Sequence, residues 1–156
     1  MTTIAFDGQM IAADTLTTDN WGFKDFRNKL FVGKDFVAGG SGDRHLILKW
    51  WKTVRLMGFD EVIQRGYPDY DPEKNCPSIL IAHKVPHSGA FALMGDTFEV
   101  CSREFHAIGS GRDYALAAMH LGKNAHEAVL VASQFDNNTG GDIETHQVVT
   151  YEYRKG

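Results

Sequence analysis

Turn residues divide the first forty positions of the chain into short apolar runs. β-Branched and aromatic side chains at residues 3–6 lead into an Asp-Gly pair, and a second apolar run follows at residues 9–13. Asp-Gly between two apolar runs is a strong signal for a β-hairpin. Residues 29–32 and 35–38, separated by Gly-Lys, predict a second hairpin. The polar stretch between the hairpins, residues 15–28, predicts a long loop or an irregular pair of strands.

Helical periodicity begins after residue 43. The glycine-rich segment at residues 39–42 is expected to break the sheet, and Asp43 is expected to cap the helix that follows. Two further helices are predicted, one through residues 114–121 and the other at residues 125–135. The apolar positions of the first helix are Leu46, Ile47, Trp50, Val54 and Met57.

The remaining apolar segments predict strands at residues 78–83, 90–94, 98–101 and 147–153, and residues 66–77, rich in Pro, Asp and Tyr, predict a surface loop. The order is then hairpins, helix, hairpins, two helices and a strand. That order predicts an α+β fold in a single domain that spans the whole chain. We expect a four-layer αββα sandwich, in which two antiparallel sheets are flanked by helices.

Composition excludes several classes of function. The chain has 156 residues, a formal net charge of −4 and no basic stripe, which argues against nucleic-acid binding. No apolar run approaches the roughly 20 residues that a membrane span needs, and no secretory signal is expected. Cys76 and Cys101 lack metal-binding spacing and predict reduced thiols in a cytoplasmic protein. The seven histidines form no HxH or HExxH motif, so we expect neither a metal site nor a cofactor.

The first residues offer a possible nucleophile. The chain begins Met1-Thr2-Thr3, and the small side chain of Thr2 favours removal of Met1. An N-terminal Thr carries a hydroxyl and a free α-amine, whose pKa of about 7.7–8.0 in peptides suits a base at neutral pH. Taken alone, an ordinary chain start is the simpler interpretation.

Four other polar features stand at strand ends or at glycine turns. Asp14 closes the second predicted strand, Lys29 opens the third, and Ser110 lies between two glycines before a helix. The fourth, Asp-Asn-Asn-Thr-Gly-Gly at residues 136–141, precedes the last strand. Each has a structural explanation, as a turn former, a solvated charge, a helix cap or a loop.

Together with Thr2, these features resemble the proteasome β-subunit family of N-terminal-nucleophile hydrolases, and within it bacterial HslV peptidase is similar nearly from end to end. Six motifs carry the resemblance, in the family's order and near its intervals. They are Thr2-Thr3-Ile4, Ile11-Ala12-Ala13-Asp14, Asn28-Lys29-Leu30, Val37-Ala38-Gly39-Gly40-Ser41-Gly42-Asp43, Ala107-Ile108-Gly109-Ser110-Gly111 and Asp136-x-x-Thr139-Gly140-Gly141. The chain is somewhat shorter than typical members, and Thr139 stands where catalytic subunits have Ser.

The resemblance implies a threonine endopeptidase. Thr2 is then nucleophile and base once Met1 has been removed, Lys29 lowers the pKa of the Thr2 hydroxyl, and Asp14 keeps Lys29 charged. Three further residues, Ser110, Asp136 and Thr139, are expected to hold the amine and relay protons.

The resemblance also implies how a substrate is held. The Gly39 N–H is the expected oxyanion donor, and Val37 and Ser41 are expected to line the pocket for the residue before the cut. Because Val37 is apolar, it favours apolar side chains there. Thr18 and Ser41 are expected to pair with an extended substrate backbone.

The family assembles into stacked rings with the sites inside, so we expect polypeptide substrates, homo-oligomeric rings and, as in HslV, an ATP-driven unfoldase as a partner. Nucleic acid and membranes are not expected partners. Two alternatives stay open. The first is an amidase of the same class that acts on small amides. The second is a catalytically silent structural subunit, although silent subunits usually lack the residue corresponding to Thr2 or to Lys29.

Overall fold

The computed structural model describes residues 2–18, 21–86, 88–101 and 104–149. The strands are β1 Thr3–Phe6, β2 Met10–Asp14, β3 Leu16–Thr18, β4 Lys24–Phe26, β5 Leu30–Val32, β6 Phe36–Ser41, β7 Ser78–His83, β8 Ala90–Met94, β9 Thr97–Val100, β10 His106–Gly109 and β11 Ile143–Gln147. The helices are α1 Arg44–Val54, α2 Phe59–Arg65, α3 Arg112–His120 and α4 Ala125–Phe135. None of these helices combines the length and apolar character that a bilayer crossing requires.

Two antiparallel sheets form the centre of the molecule. The first sheet has the strand order β10-β1-β2-β11, and the second has the order β5-β6-β7-β8-β9. The strands β3 and β4 form a separate antiparallel pair, as the sequence allowed for residues 15–28. Because β1 and β2 are central in the first sheet, the residues at their ends are fixed by ladders on both sides.

Alternation along the strands produces the layers. In β1, Ile4 and Phe6 pack into the core between the two sheets, whereas Ala5 faces α3 and α4. In β7, Leu80 packs into the inter-sheet core while Ile81 faces the layer of α1 and α2. Successive side chains of a strand point to opposite faces, so each sheet has one face against the other sheet and one against helices. The predicted α+β fold with four αββα layers is confirmed.

Glycine has a different role in β6 from the one predicted. The strand does not end at Gly39 but continues through Ser41, and the chain turns at Gly42, where φ is +119°. A Cβ at Gly39 would lie 2.8 Å from Ile4 Cδ1, and a Cβ at Gly40 would lie 2.8 Å from Ile47 Cγ2. These two glycines therefore permit close packing between layers within the strand.

The structure also bears on the predicted cap of α1 and on the predicted last strand, and it contains one helix that was not predicted. Asp43 caps α1 as expected, because its side chain accepts hydrogen bonds from the backbone N–H groups of His45 and Leu46. Helix α2 was not predicted, because only Phe59 and Val62 of its seven residues are buried. Within the described residues the last strand is β11, which begins before the predicted strand 147–153 and ends at Gln147, so residues 148–149 are not part of a strand. It is a polar edge strand that the apolar pattern does not reveal, and residues 150–153 of the predicted strand lie outside the described part of the chain.

Candidate active site

Six of the predicted site residues meet at one end of the first sheet. Thr2 precedes β1, Asp14 ends β2, Lys29 precedes β5 and Ser110 follows β10. Asp136 and Thr139 lie in the loop between α4 and β11. Residues from four other parts of the chain thus surround Thr2, of which only 5% is exposed.

Lys29 is the charged centre of the site. Its Nζ donates to Thr2 Oγ1 at 2.9 Å, to Asp14 Oδ1 at 2.8 Å and to the Leu16 carbonyl at 2.6 Å. An ammonium has one N–H for each of these three oxygens, so the arrangement suits the charged form of Lys29. Burial lowers the pKa of Lys29, and the Asp14 carboxylate opposes that shift only in part.

Asp14 connects the ammonium to the surrounding backbone. Besides Lys29, its Oδ1 accepts from the Thr3 N–H at 3.0 Å, and its Oδ2 accepts from the Gly140 N–H at 3.0 Å. The carboxylate is fully buried. One side chain therefore fixes the start of β1, the loop after α4 and the direction of Lys29.

A second hydrogen-bonded cluster lies on the other side of Thr2. The carboxylate oxygen Oδ2 of Asp136 accepts from Ser110 Oγ and from Thr139 Oγ1, both at 2.6 Å. Each hydroxyl has one proton, so Ser110 Oγ is left to accept from Thr2 N at 3.4 Å. By the same reasoning, Thr139 Oγ1 accepts from Thr3 Oγ1 at 2.7 Å. Burial tends to raise the pKa of Asp136, but the hydrogen bonds from Ser110, Thr139 and the Asn138 N–H outweigh burial and lower it.

In the Gly-Ser-Gly turn at residues 109–111, both glycines are required because Thr2 and Thr3 pass close to the turn. Gly109 has a φ of +99°, and a Cβ there would collide with the Thr2 carbonyl oxygen. A Cβ on Gly111 would collide with Thr3 Oγ1. Glycine on both sides of Ser110 is therefore needed to bring β10 against the chain start.

A small cavity opens beside Thr2 and contains about 330 Å³ of empty space, including its open mouth. Its lining comes from Thr2, Thr17, Lys29, Phe31, Gly40, Gly42, Arg44 and Ile47. Because Thr2 and Lys29 both border it, this cavity is the candidate place for a ligand side chain beside Thr2.

The residues predicted to hold substrate lie around this cavity but do not line it. Val37 is 1% exposed and packs in the core between the sheets, which corrects its predicted place in the pocket. Thr18 is exposed, and its neighbour Thr17 contributes to the lining because adjacent strand residues face opposite ways. Gly39 and the buried Ser41 flank Gly40, which does border the cavity.

Two residues near Thr2 or Lys29 were not predicted from the sequence. Glu144, in β11, accepts from the backbone N–H groups of Lys29 and Leu30 through Oε1, the latter at 2.9 Å. It thereby fixes the backbone from which Lys29 extends. Arg44, the first residue of α1, lines the cavity. Both sit in ordinary polar positions, so no sequence pattern singles them out.

The described residues contain no group of three or more His, Cys, Asp or Glu side chains that could hold a metal ion. The chemistry of this site is that of a hydroxyl, an ammonium and hydrogen-bonded carboxylates. Met1 lies outside the described part of the chain, and Thr2 N is an amide as long as Met1 is attached.

Solved structures share this architecture. BPH from Thiobacillus denitrificans, in complex with epoxomicin, superposes with a TM-score of 0.69 and 24% identity over 94% of this chain and 97% of that chain. A second BPH structure from the same organism gives a TM-score of 0.64 and 23% identity, over 93% of this chain and 95% of that one. Eukaryotic HslV from Trypanosoma brucei gives a TM-score of 0.68 and 17% identity, over 93% and 99% of the two chains.

No family model matches the sequence, and no curated protein sequence matches it either. The relationship is therefore carried by three-dimensional structure. It covers nearly the full length of both molecules in each case. The chain has the HslV-type fold, which confirms the fold that the sequence resemblance implied.

Proposed function

We propose that this chain is a threonine endopeptidase in which Thr2 becomes the N-terminal nucleophile after removal of Met1. The observation that carries the proposal is the 2.9 Å hydrogen bond from the Lys29 ammonium to the Thr2 hydroxyl oxygen. An ammonium that donates to this oxygen stabilises the alkoxide and leaves the hydroxyl proton free to depart. The fold of HslV and BPH supports the same assignment.

Removal of Met1 supplies the base. The liberated α-amine of Thr2 has a pKa near neutrality in peptides, at about 7.7–8.0. Ser110 Oγ lies 3.4 Å from Thr2 N and already donates its own proton to Asp136, so it is ready to accept from the amine. The cluster of Ser110, Asp136 and Thr139 thus orients the amine.

The reaction then proceeds by acyl transfer. Thr2 Oγ1 attacks the carbonyl carbon of the peptide bond while its proton passes to the α-amine, directly or through a water molecule. The tetrahedral oxyanion collapses, the C–N bond breaks and the proton goes to the leaving amine. Water hydrolyses the remaining ester by the reverse proton transfers and regenerates Thr2. Lys29 stays charged throughout, because Asp14 is its counter-ion.

The oxyanion and the substrate backbone are assigned to β6 and β3. Gly39 remains the proposed oxyanion donor, in a segment whose next residue, Gly40, borders the cavity. Thr18 and Ser41 are proposed to pair with an extended polypeptide, next to residues that line the cavity. A missing oxyanion donor typically costs on the order of 100–1,000-fold in rate.

The fold also supports a proposal about assembly. By analogy with HslV and proteasome β subunits, the chain forms homo-oligomeric, stacked rings in the cytoplasm, and an ATP-dependent unfoldase delivers its polypeptide substrates. Native mass spectrometry measures the number of copies. A monomeric, fully active protein would contradict the assembly without affecting the chemistry.

The proposed chemistry is tested by Thr2→Ala. We expect this variant to lose hydrolysis of fluorogenic peptides while keeping its fold and assembly. Thr53→Ala is the matched control, because Thr53 is an exposed residue of α1 far along the chain from the site. Wild-type activity in Thr2→Ala would overturn the proposal.

A second experiment addresses processing and separates the alternatives. An epoxyketone such as epoxomicin, which is bound in one BPH structure, should add its mass to Thr2 only after Met1 has been removed. Blocking Met1 removal should abolish both labelling and hydrolysis. Labelling without peptide hydrolysis, combined with turnover of small amides, would favour the amidase alternative, and no labelling of processed protein would favour a silent subunit.

A further inference from the structure

We propose that Arg44 makes this site select peptides with an acidic side chain immediately before the cut, an inference that rests on the proposed function. The sequence analysis expected Val37 to line the pocket for this side chain and to favour apolar residues. The inference instead assigns acidic residues to the cavity beside Thr2. Val37 does not border this cavity, whereas Arg44 borders it together with Thr2 and Lys29.

The position of Arg44 gives its side chain access to the substrate. Arg44 is half-buried at the start of α1 and lines the same cavity as Thr2 and Lys29. Phe31 and Ile47 contribute apolar surface to that cavity. A side chain that enters beside Thr2 therefore meets apolar walls and one guanidinium.

Arg44 lines the cavity without an ion-pair partner among the described residues, although its charge interacts with that of Asp25 at longer range. Lys29 is paired with Asp14 at 2.8 Å, and Asp25 is paired with Arg27 at 2.8 Å. Within the described ranges, Arg44 has no carboxylate within the 4.0 Å of an ion pair. Its charge nevertheless contributes to lowering the pKa of Lys29, after the larger effect of burial, so its field reaches the site.

The beginning of α1 supplies no ion-pair partner for Arg44 among the described residues. Asp43 is the nearest carboxylate along the chain, and it is occupied by the N–H groups of His45 and Leu46. The first turn of α1 has no acidic residue. The Asp43 carboxylate compensates the positive end of the helix dipole, so the positive charge left at the start of α1 is that of the Arg44 guanidinium.

A glutamate side chain fits this combination. Its methylene groups can pack against Phe31 and Ile47, and its carboxylate can accept a charge-assisted hydrogen bond from Arg44. A lysine side chain in the same place would face two cations, Arg44 and Lys29. A neutral glutamine has the shape of glutamate but lacks its charge, which makes it the matched comparison.

The test uses three peptides, acetyl-Ala-Ala-Glu, -Gln and -Lys, each joined to the same fluorogenic amine. For the wild-type enzyme we expect kcat/KM for Glu to exceed that for Gln by about tenfold, the effect of one hydrogen bond between charged groups. In Arg44→Gln the ratio should fall to about one, and in Arg44→Glu the Lys peptide should become the best substrate. Arg55→Gln, at the other end of α1, is the control and should keep the wild-type ratio.

The outcomes separate this inference from the proposed function. Thr2-dependent hydrolysis with equal rates for Glu and Gln overturns the inference and leaves the function intact. If no peptide is hydrolysed, peptide binding to the inactive variant tests the inference. Thr2→Ala protein should bind acetyl-Ala-Ala-Glu-amide several-fold more tightly than the Gln-amide by isothermal titration, and the difference should disappear when Arg44→Gln is added. Equal affinities, or no binding of either peptide, overturn the inference.

Discussion

Thr2 lies between two polar clusters that differ in their access to water. On one side Lys29 and Asp14 form an ion pair whose side chains are only 5% and 1% exposed. On the other side Ser110 is exposed and Asp136 is half-buried, and they are joined by a 2.6 Å hydrogen bond at the surface. We call the first pair the buried cluster and the second, together with Thr139, the surface cluster.

The difference predicts how each cluster responds to substitution. A charge left without its partner in the buried cluster cannot be solvated, so both stability and activity suffer. In the surface cluster, water can replace a missing hydroxyl and make its hydrogen bonds. The proposed mechanism therefore combines a rigid charged cluster, which sets the reactivity of the hydroxyl, with an adaptable cluster that orients the amine.

The largest effect is expected from Lys29→Met. The variant removes the donor to Thr2 Oγ1 and leaves the Asp14 carboxylate buried without its counter-ion. We expect peptide hydrolysis to fall by about 1,000-fold or more, and the free energy of unfolding to fall by about 3–5 kcal/mol. Hydrolysis assays and urea denaturation measure the two quantities. Lys52→Met, at an exposed position of α1, is the control, and a loss of less than tenfold in Lys29→Met would contradict the role of the ammonium.

Asp14→Asn tests the same cluster through pH. In the proposed mechanism the active form has Lys29 charged, so we expect the rate to be lost as pH rises through the pKa of Lys29, which burial lowers below its ordinary 10.5. Without the Asp14 carboxylate that pKa falls further. The alkaline limb of kcat/KM should move to lower pH, and the rate at pH 8 should fall by about 100-fold. If the alkaline limb of kcat/KM did not move, a group other than Lys29 would be responsible for it.

Stability should change with pH in the opposite direction from activity. Between the pKa of Lys29 in the folded chain and its ordinary 10.5, the unfolded chain binds more protons. The free energy of unfolding therefore rises with pH in that window, while the active ammonium is lost. Urea denaturation at several alkaline pH values checks the sign. Asp60→Asn, an exposed residue of α2, provides the background slope.

Ser110→Ala tests the surface cluster. We expect a loss of about 10–100-fold in kcat/KM, because the amine loses one partner, but a change below about 0.5 kcal/mol in the free energy of unfolding. Ser133→Ala, on the exposed side of α4, is the control for removing a hydroxyl. If Ser110→Ala destabilised the protein as much as Lys29→Met, the contrast between the two clusters would fail.

The parts of the molecule that the sequence predicted are those in which local pattern decides the structure. The αββα layers follow from alternation in strands such as β1, and the placing of Ser110 follows from glycines that no other residue could replace. The candidate site residues that the structure brings together could be singled out because each is an isolated polar group at a strand end or a glycine turn.

What the sequence did not predict depends on contacts between distant segments. Glu144 acts on the backbone of Lys29 from an edge strand that has no apolar signal. Val37 was assigned to the pocket, but the register of β6 turns it into the core, while Arg44 enters the cavity from the next helix. The pairing of Gly39 with Leu30 sets that register, and it can be known only when the sheet is formed.

The smallest effect is expected at Thr139, which belongs to the surface cluster but is itself buried, with 4% exposed. Its hydroxyl accepts from Thr3 and donates to Asp136, whereas its methyl group makes no hydrogen bond. Thr139→Ser keeps the hydroxyl, so we expect kcat/KM to stay within about threefold of wild type. Thr139→Val keeps the shape but leaves Thr3 Oγ1 buried without this acceptor, and about a tenfold loss is expected. Peptide hydrolysis by the two variants shows whether the shape of the Thr139 side chain or its hydrogen bonds matter for the rate. A larger loss in Thr139→Ser than in Thr139→Val would mean that packing, and not the proton relay, holds this side of Thr2.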